Sequence, residues 1–323
     1  MKVAVTGGTG YLGAHLVRGL LAAGHSVSLL AEPGWDNPDL LRRFSELGSV
    51  TVCHGDVREP TQVAALLADS EAVVNAAGVV GTDDRREKLM WEINAHAAEA
   101  ILQQACARGL DPIVLVSSYS ALFPPPGPVI TPDSPTAQGK SAYARTKSYA
   151  ERAARRMQQD GAPVVVTYPS SVVGPSFWTS PGVTEQGWAA IVNGGVAPRV
   201  RNAGMMMIDV RDVADVHCAL MRPGQGPKRY LCGGTFLSFD EMISALEAGS
   251  GRKIKRIPMS PRVFRTLGRI ADLAGSVLPV SSGFSHEAAQ LITAAIPTDD
   301  RQTLAELGLT WRSPRAAIIA TFA

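Results

Sequence analysis

A chain of 323 residues, 46% hydrophobic and 19% charged, has room for one large α/β domain and a smaller lobe with buried cores. Its formal net charge of +2, without a dense run of Lys or Arg, argues against a nucleic-acid partner. No window supplies the roughly 20 uninterrupted apolar residues of a membrane span. The four cysteines and six histidines are scattered, without C-x-x-C or metal-ligand spacing, as expected of reduced thiols in a cytoplasmic protein that holds no metal.

The chain opens on MKVAVTGGTGYLG, in which Val3 and Val5 mark a buried strand and Gly7, Gly10 and Gly13 follow at G-x-x-G-x-x-G spacing. AHLVRGLLAAG (14–24) then reads as a helix. Such a turn lets backbone approach a pyrophosphate, and the helix N-terminus offers it free N–H groups, so the unit predicts dinucleotide binding. The residues after Met1 form this strand and not a basic-then-apolar leader, so no secretory signal is expected. Further strands are predicted at 25–31, 49–53, 71–77 and 112–118, with helical stretches between them, including a long one at 87–109. This alternation predicts an α/β fold with a doubly wound parallel sheet. Ligands bind such sheets at the carboxyl ends of the strands, where Gly78, Ser117 and Ser118 fall.

The proline-dense FPPPGP (123–128) leaves the fifth strand and is expected to wall a pocket. A helix at 141–158 begins with SAYARTKSYAER. Tyr143 and Lys147 stand at i and i+4, on one face of it. A phenol titrates near 10, and a neighbouring ammonium is expected to bring Tyr143 down towards neutrality. Y-x-x-x-K alone is commonly an ordinary helix face. Here Ser117 and Ser118 end a strand about 25 residues upstream, where a hydroxyl can hold a substrate oxygen against the phenol. After Pro169 the alternation is lost. A first domain is predicted over 1–169, with 205–222 returning to it, and a smaller substrate lobe over 170–323.

Seven segments in order, TGGTGYLG, GDVRE, VVNAAG, VSSYSALF, YARTK, YPSSVVGP and IDVRDVAD, resemble the extended short-chain dehydrogenase/reductase family, within the NAD-dependent epimerase/dehydratase superfamily. The motif register is most similar to members of the dihydroflavonol-reductase and hydroxysteroid-dehydrogenase kind. The resemblance implies a Rossmann sheet with Tyr143 as acid/base, Lys147 on the nicotinamide ribose and Ser118 on the substrate oxygen. Ser117 and Ser120 stand in reserve, and counting the register as in sugar-nucleotide epimerases lands on Tyr119 instead. Asn94 matches the family's helix asparagine, and Asp56 the aspartate that contacts the adenine. Cofactor contacts are further implied at Gly7, Thr9, Gly10, Tyr11, Leu12, Gly13, Val57, Ala76, Ala77, Gly78, Ser117, Pro169 and Ser171. Asp212 reads as a helix anchor. Family members often dimerise through helices equivalent to 87–109 and 141–158, so a homodimer is possible.

Ala31 and Glu32 end the second strand, and Pro33, Gly34 and Trp35 follow without an Arg. A carboxylate there repels a 2′-phosphate, which favours NAD; Arg42 and Arg43 leave NADP open. Met205 stands where nucleotide-sugar members carry an Arg for the diphosphate, in a run with Met206 and Met207 that suits either an apolar site or a strand core. Phe177, Trp178 and Trp188 line an apolar pocket or pack the lobe. The segment 260–279 is amphipathic, with Arg262, Arg265 and Arg269 at helical spacing, and reads as a solvated helix, a lid or a membrane contact. The leading expectation is an oxidoreductase interconverting a secondary alcohol and a ketone on a mostly apolar small molecule. A nucleotide-sugar epimerase or dehydratase with recycled NAD, and a non-catalytic dinucleotide sensor or scaffold, are the alternatives.

Overall fold

The structure is a computed structural model that describes residues 1–34, 37–81, 84–277 and 285–323. Six of the central strands are β1 (Lys2–Thr6), β2 (Ser26–Ala31), β3 (Val50–His54), β4 (Ala72–Asn75), β5 (Ile113–Val116) and β6 (Val164–Pro169). Every pairing among them is parallel, in the order β6-β5-β4-β1-β2-β3. The side chains of β1, β4 and β5 are almost wholly buried, as strands covered on both faces must be. Helices Tyr11–Ala22, Pro38–Leu47 and Val210–Ala219 build one apolar layer, around Leu16, Leu20, Phe44 and Val213. Helices Pro60–Leu67, Ala98–Ala107 and Ala142–Gln159 build the other, around Leu67, Ile101 and Ala154. This is the doubly wound sheet expected from the alternation. The strand order reverses between β1 and β4, and that crevice is where such sheets take ligands.

The sheet also takes a strand from beyond residue 169. Strand Lys228–Cys232 pairs with β6 in parallel and becomes its seventh member, so the chain returns to the first layer system well past that point. Between and after these returns lie a three-stranded sheet (Ser171–Val173, Gly204–Asp209, Thr235–Ser238) and a parallel pair (Val196–Val200, Lys255–Met259). Their core gathers Trp188, Met207, Phe239, Leu246 and Ile318.

The expected long helix at 87–109 is interrupted. Glu87–Met90 and Ala98–Ala107 are α-helical, but Trp91–Ala97 widens into a π-helix with Asn94 buried at its centre. Such wide turns concentrate at functional sites.

Candidate active site

Thr6 ends β1 and the chain turns at once. Gly7 takes φ +71°, a conformation that favours glycine, and a Cβ on it would stand 2.6 Å from the Ala76 backbone. Gly13 leaves no room for a side chain. Its neighbour is the turn itself: a Cβ there would fall 2.0 Å from the Gly7 carbonyl oxygen. Gly10 differs from both. Its φ is −82°, and the nearest atom to a Cβ would be Gly7 O at 3.4 Å, so that side of the turn is open. Gly10 is the N-cap of helix Tyr11–Ala22, and no side chain caps its first turn. Uncapped N–H groups beside an open glycine face fit an anionic pyrophosphate.

Tyr11 sends its side chain away from the turn. Its hydroxyl donates to Gly174 O (2.8 Å) and Glu185 Oε1 (3.0 Å), and the same carboxylate oxygen accepts from Gly174 N (3.0 Å). His15 meets Pro175 O at 2.9 Å. Phe177 stacks against Phe44 at 6.2 Å, with the Arg18 guanidinium 5.1 Å from its ring centre. Phe177 thus closes the lobe onto the glycine-turn helix, and Trp188 lies in the lobe core. Both serve the lobe packing, the second of the roles the sequence allowed them. Trp178 is exposed, beneath the Arg43 guanidinium at 4.6 Å.

Glu32 is exposed just past β2 and holds no ion pair among the described residues; Trp35 lies outside them. Arg42 pairs with Asp39 (3.0 Å) and Arg43 with Glu46 (2.9 Å), both at the helix surface. Asp56 is clasped by Arg58 through Nε, Nη2 and the backbone N–H, and Arg58 reaches on to Glu92 at 2.9 Å. Those bonds hold the Asp56 carboxyl below its usual range. Val57 and Arg58 line a cavity of about 330 Å³ beside it, with Glu92 and His96. Ala76 and Ala77 are partly covered and Gly78 is exposed; a Cβ on Gly78 would stand 3.3 Å from Asn94 Oδ1 and 3.6 Å from Lys147 Nζ.

Ser118 follows β5 and caps the short 3₁₀ turn Tyr119–Leu122. Its Oγ accepts from the Ser120 N–H (3.2 Å) and the Ser120 hydroxyl (3.0 Å). A hydroxyl has two acceptor positions and one proton, so Ser118 has only its proton left to offer. It lies in hydrogen-bonding range of the Tyr143 phenol. Tyr119, the alternative in the epimerase register, is buried and turned to Ser171. Ser117 Oγ is buried without a hydrogen-bond partner among the described residues.

Helix Ala142–Gln159 carries the pair. Its N-cap Ser141 accepts from Ala144 N (3.1 Å) and donates to Glu287 Oε1 (2.9 Å), while Ser141 N donates to the other carboxylate oxygen. Lys147 is buried, with Nζ donating to Val116 O at 3.1 Å and standing 5.9 Å from the Tyr143 ring centre. Burial lowers the Lys147 pKa to about 8. Burial also raises the Tyr143 phenol above its usual value, and Ser118 only partly offsets it. The expected fall of Tyr143 is therefore not found in the protein alone. Desolvation of the phenol is the larger of the two effects.

Asn94 touches no open space. Its Oδ1 accepts from Val79 N (2.7 Å) and its Nδ2 donates to Val79 O (2.9 Å) and Thr146 Oγ1 (3.4 Å). Thr146 in turn donates to Tyr143 O (2.9 Å). Asn94 thus ties the loop after β4 at Val79 to the helix bearing Tyr143. Glu287 and Glu185 carried no sequence signal, because each acts on a partner distant in the chain, Ser141 and Tyr11 respectively. Pro169 ends β6 beside Cys232. Asp212 accepts from Arg312 N (2.7 Å) and its guanidinium, which anchors the C-terminal segment; the helix N-cap is Asp209. Met205 and Met207 pack on the lobe core. The proline-dense loop does wall a cavity, of about 360 Å³, lined by Phe123, Pro124, Lys140, Arg265, Glu287 and Gln290.

Residues 3–233 match the NAD dependent epimerase/dehydratase family. The chain belongs to that family. NAD is accordingly the cofactor of the group, and the open glycine face and uncapped helix start described above fit it. Over 98% of this chain and 96% of its own length, "Sterol demethylase protein B" of Methylococcus capsulatus is 26% identical. A putative dihydroflavonol 4-reductase of Synechocystis sp. is 24% identical over 97% of this chain and 91% of its own. Among solved structures, UDP-glucose 4-epimerase from Bifidobacterium longum, in complex with NAD+ and UDP, superimposes with a TM-score of 0.77 at 19% identity, covering 100% of this chain and 97% of that one. No described helix is long and apolar enough to cross a membrane.

Proposed function

We propose that the protein is a NAD-dependent oxidoreductase that interconverts a secondary alcohol and a ketone on a mostly apolar small molecule. The observation that carries this reading is the Ser118 hydroxyl, both of whose acceptor positions are filled by Ser120, leaving its proton to donate beside the Tyr143 phenol with which it interacts. In oxidation, Ser118 donates to the substrate oxygen and Tyr143 takes the alcohol proton; in reduction Tyr143 returns it. Bound NAD supplies the acceptor for the hydride of the carbinol carbon. Lys147, next to Gly78 and Tyr143, is the residue that would hold the nicotinamide ribose, and its charge would stabilise phenolate. Gly10 and the first turn of helix Tyr11–Ala22 would hold the pyrophosphate. Exposed Glu32, with Arg42 and Arg43 paired to Asp39 and Glu46, favours NAD over NADP.

An apolar substrate is supported by the methionine strand: Met205 occupies the place of a diphosphate-binding Arg and packs on the lobe core. Two full-length relatives carry reductase or sterol names, which agrees with it.

The test begins with protein purified without added cofactor, denatured to identify any released dinucleotide. Empty or freely exchanging protein that binds NADH more tightly than NADPH, and a Tyr143-dependent absorbance change with apolar alcohols, would support the reading. Stoichiometric NAD that resists dialysis, with no net redox change on any alcohol, would replace it by internal hydride return in an epimerase or dehydratase.

A further inference from the structure

Helix Pro261–Val277 gives only one side to the lobe. Phe264 is buried edge-on to Phe239 at 5.6 Å, and a Cβ on Gly268 would stand 2.8 Å from His286 Cα. The other side is apolar and bare. Val263, Leu267 and Ile270, at i, i+4 and i+7, are 50%, 41% and 56% exposed. On the same lobe, Val196 and Ile257 are exposed too. The sequence segment 260–279 that raised this question ends at two residues, 278 and 279, outside the described ones.

The charges around the stripe are one-signed. Arg262 and Arg269, seven residues apart, share one flank of it, both exposed, and neither guanidinium has a partner among the described residues. Arg265 is turned inward, with Nε on Thr293 Oγ1 at 2.6 Å. Asp272, the one carboxylate between 261 and 272, lies on the opposite side and accepts from His286 N at 3.0 Å. Nothing acidic on the helix therefore faces the stripe.

We propose that this face docks on an anionic lipid surface. The helix lies in the headgroup layer with Val263, Leu267 and Ile270 towards the acyl chains and Arg262 and Arg269 on lipid phosphates. Three half-exposed side chains are far short of the roughly 800 Å² per partner that a stable protein interface buries. A lipid surface needs no matching shape, and an apolar stripe with flanking cations is what it takes up. The binding is reversible and does not depend on the oxidoreductase reading.

The experiment is co-sedimentation of the full chain with vesicles of phosphatidylcholine alone or with about a third phosphatidylglycerol. The wild type is expected to pellet at least about fivefold more with the anionic vesicles, and to be released as salt rises past the range where the Debye length falls to a few Å. Val263→Glu with Ile270→Glu should bring pelleting to the level of phosphatidylcholine alone. Arg262→Gln with Arg269→Gln should remove the preference for phosphatidylglycerol. All four side chains are exposed, so unchanged thermal unfolding certifies the variants. No pelleting of the wild type, salt-insensitive pelleting, or variants that match the wild type would overturn the proposal. A concentration-dependent dimer lost in Ile270→Glu would overturn it too, by assigning the stripe to a second copy of the chain.

Discussion

Ser120 fills both acceptor positions of the Ser118 hydroxyl, one from its backbone N–H and one from its own hydroxyl. The arrangement turns a group of two-way hydrogen-bonding capacity into a donor of fixed direction. Ser118→Ala should therefore lower kcat about 100-fold or more. Ser120→Ala leaves one Ser118 acceptor filled by the backbone and should cost less, about tenfold or below. Steady-state kinetics on the first substrate found would check the ranking, and a Ser120 variant as poor as the Ser118 variant would contradict it.

Tyr143→Phe removes the proton carrier and little else, since the ring remains. Turnover should fall by about 100- to 10,000-fold, while the NAD dissociation constant measured by calorimetry changes little. Near-wild-type turnover would remove Tyr143 from the acid/base role.

Gly10 and Gly13 separate fold from ligand. A side chain at Gly13 would collide with the Gly7 carbonyl, so Gly13→Val should unfold or fail to express. At Gly10 a Cβ would meet only Gly7 O, at an ordinary contact distance of 3.4 Å, and the φ is ordinary. Gly10→Val should keep its melting temperature within a few degrees and lose NAD affinity by at least about tenfold, because the methyls stand where backbone must meet pyrophosphate. Retained affinity in a folded Gly10→Val protein would dismiss the turn as the phosphate site.

Lys147 makes stability depend on pH in an uncommon sense. Its pKa is about 8 in the fold against an unfolded value of 10.5, so between those two the unfolded chain binds more protons. Stability then rises with pH across that window, and below 8 the cost of burying the ammonium is fully present. The difference in unfolding free energy between wild type and Lys147→Met should grow in favour of the wild type from pH 8 to 10.5. The change is on the order of 3 kcal/mol, at ~1.4 kcal/mol per tenfold in proton affinity. Denaturant titrations of cofactor-free protein at several pH values measure it; a pH-independent difference would show that Lys147 is not desolvated.

Glu32→Arg should shift preference towards NADP, since the new guanidinium would meet a 2′-phosphate where Glu32 repels it. The ratio of kcat/KM values for the two cofactors checks this. An unchanged ratio would assign the discrimination to other residues.

The sheet was legible because each of its first strands is a short apolar run followed by turn chemistry, as in Val3–Val5 and Ile113–Val116. Strand Lys228–Cys232 was not, since nothing in KRYLC announces that its partner is β6, about 60 residues upstream. The i, i+4 spacing of Tyr143 and Lys147 gave their common helix face, but spacing carries no information about desolvation, and desolvation sets the direction of both pKa shifts. The π-helix around Asn94 escaped for a related reason: seven residues are too few for apolar periodicity to distinguish a wide turn from an α-helical one. Phe177 and Trp188 show the remaining limit, that aromatic side chains fill a lobe contact as readily as a substrate site.

Tyr11 belongs to the glycine turn by sequence and to the lobe by its hydrogen bonds to Gly174 and Glu185. A strut of that kind makes the two halves of the molecule partners in one equilibrium. If a dinucleotide shifts the first turn of helix Tyr11–Ala22, those bonds carry the shift to helix Val183–Gly194, and reciprocity then requires that a molecule gripping that helix alter dinucleotide affinity by the same factor.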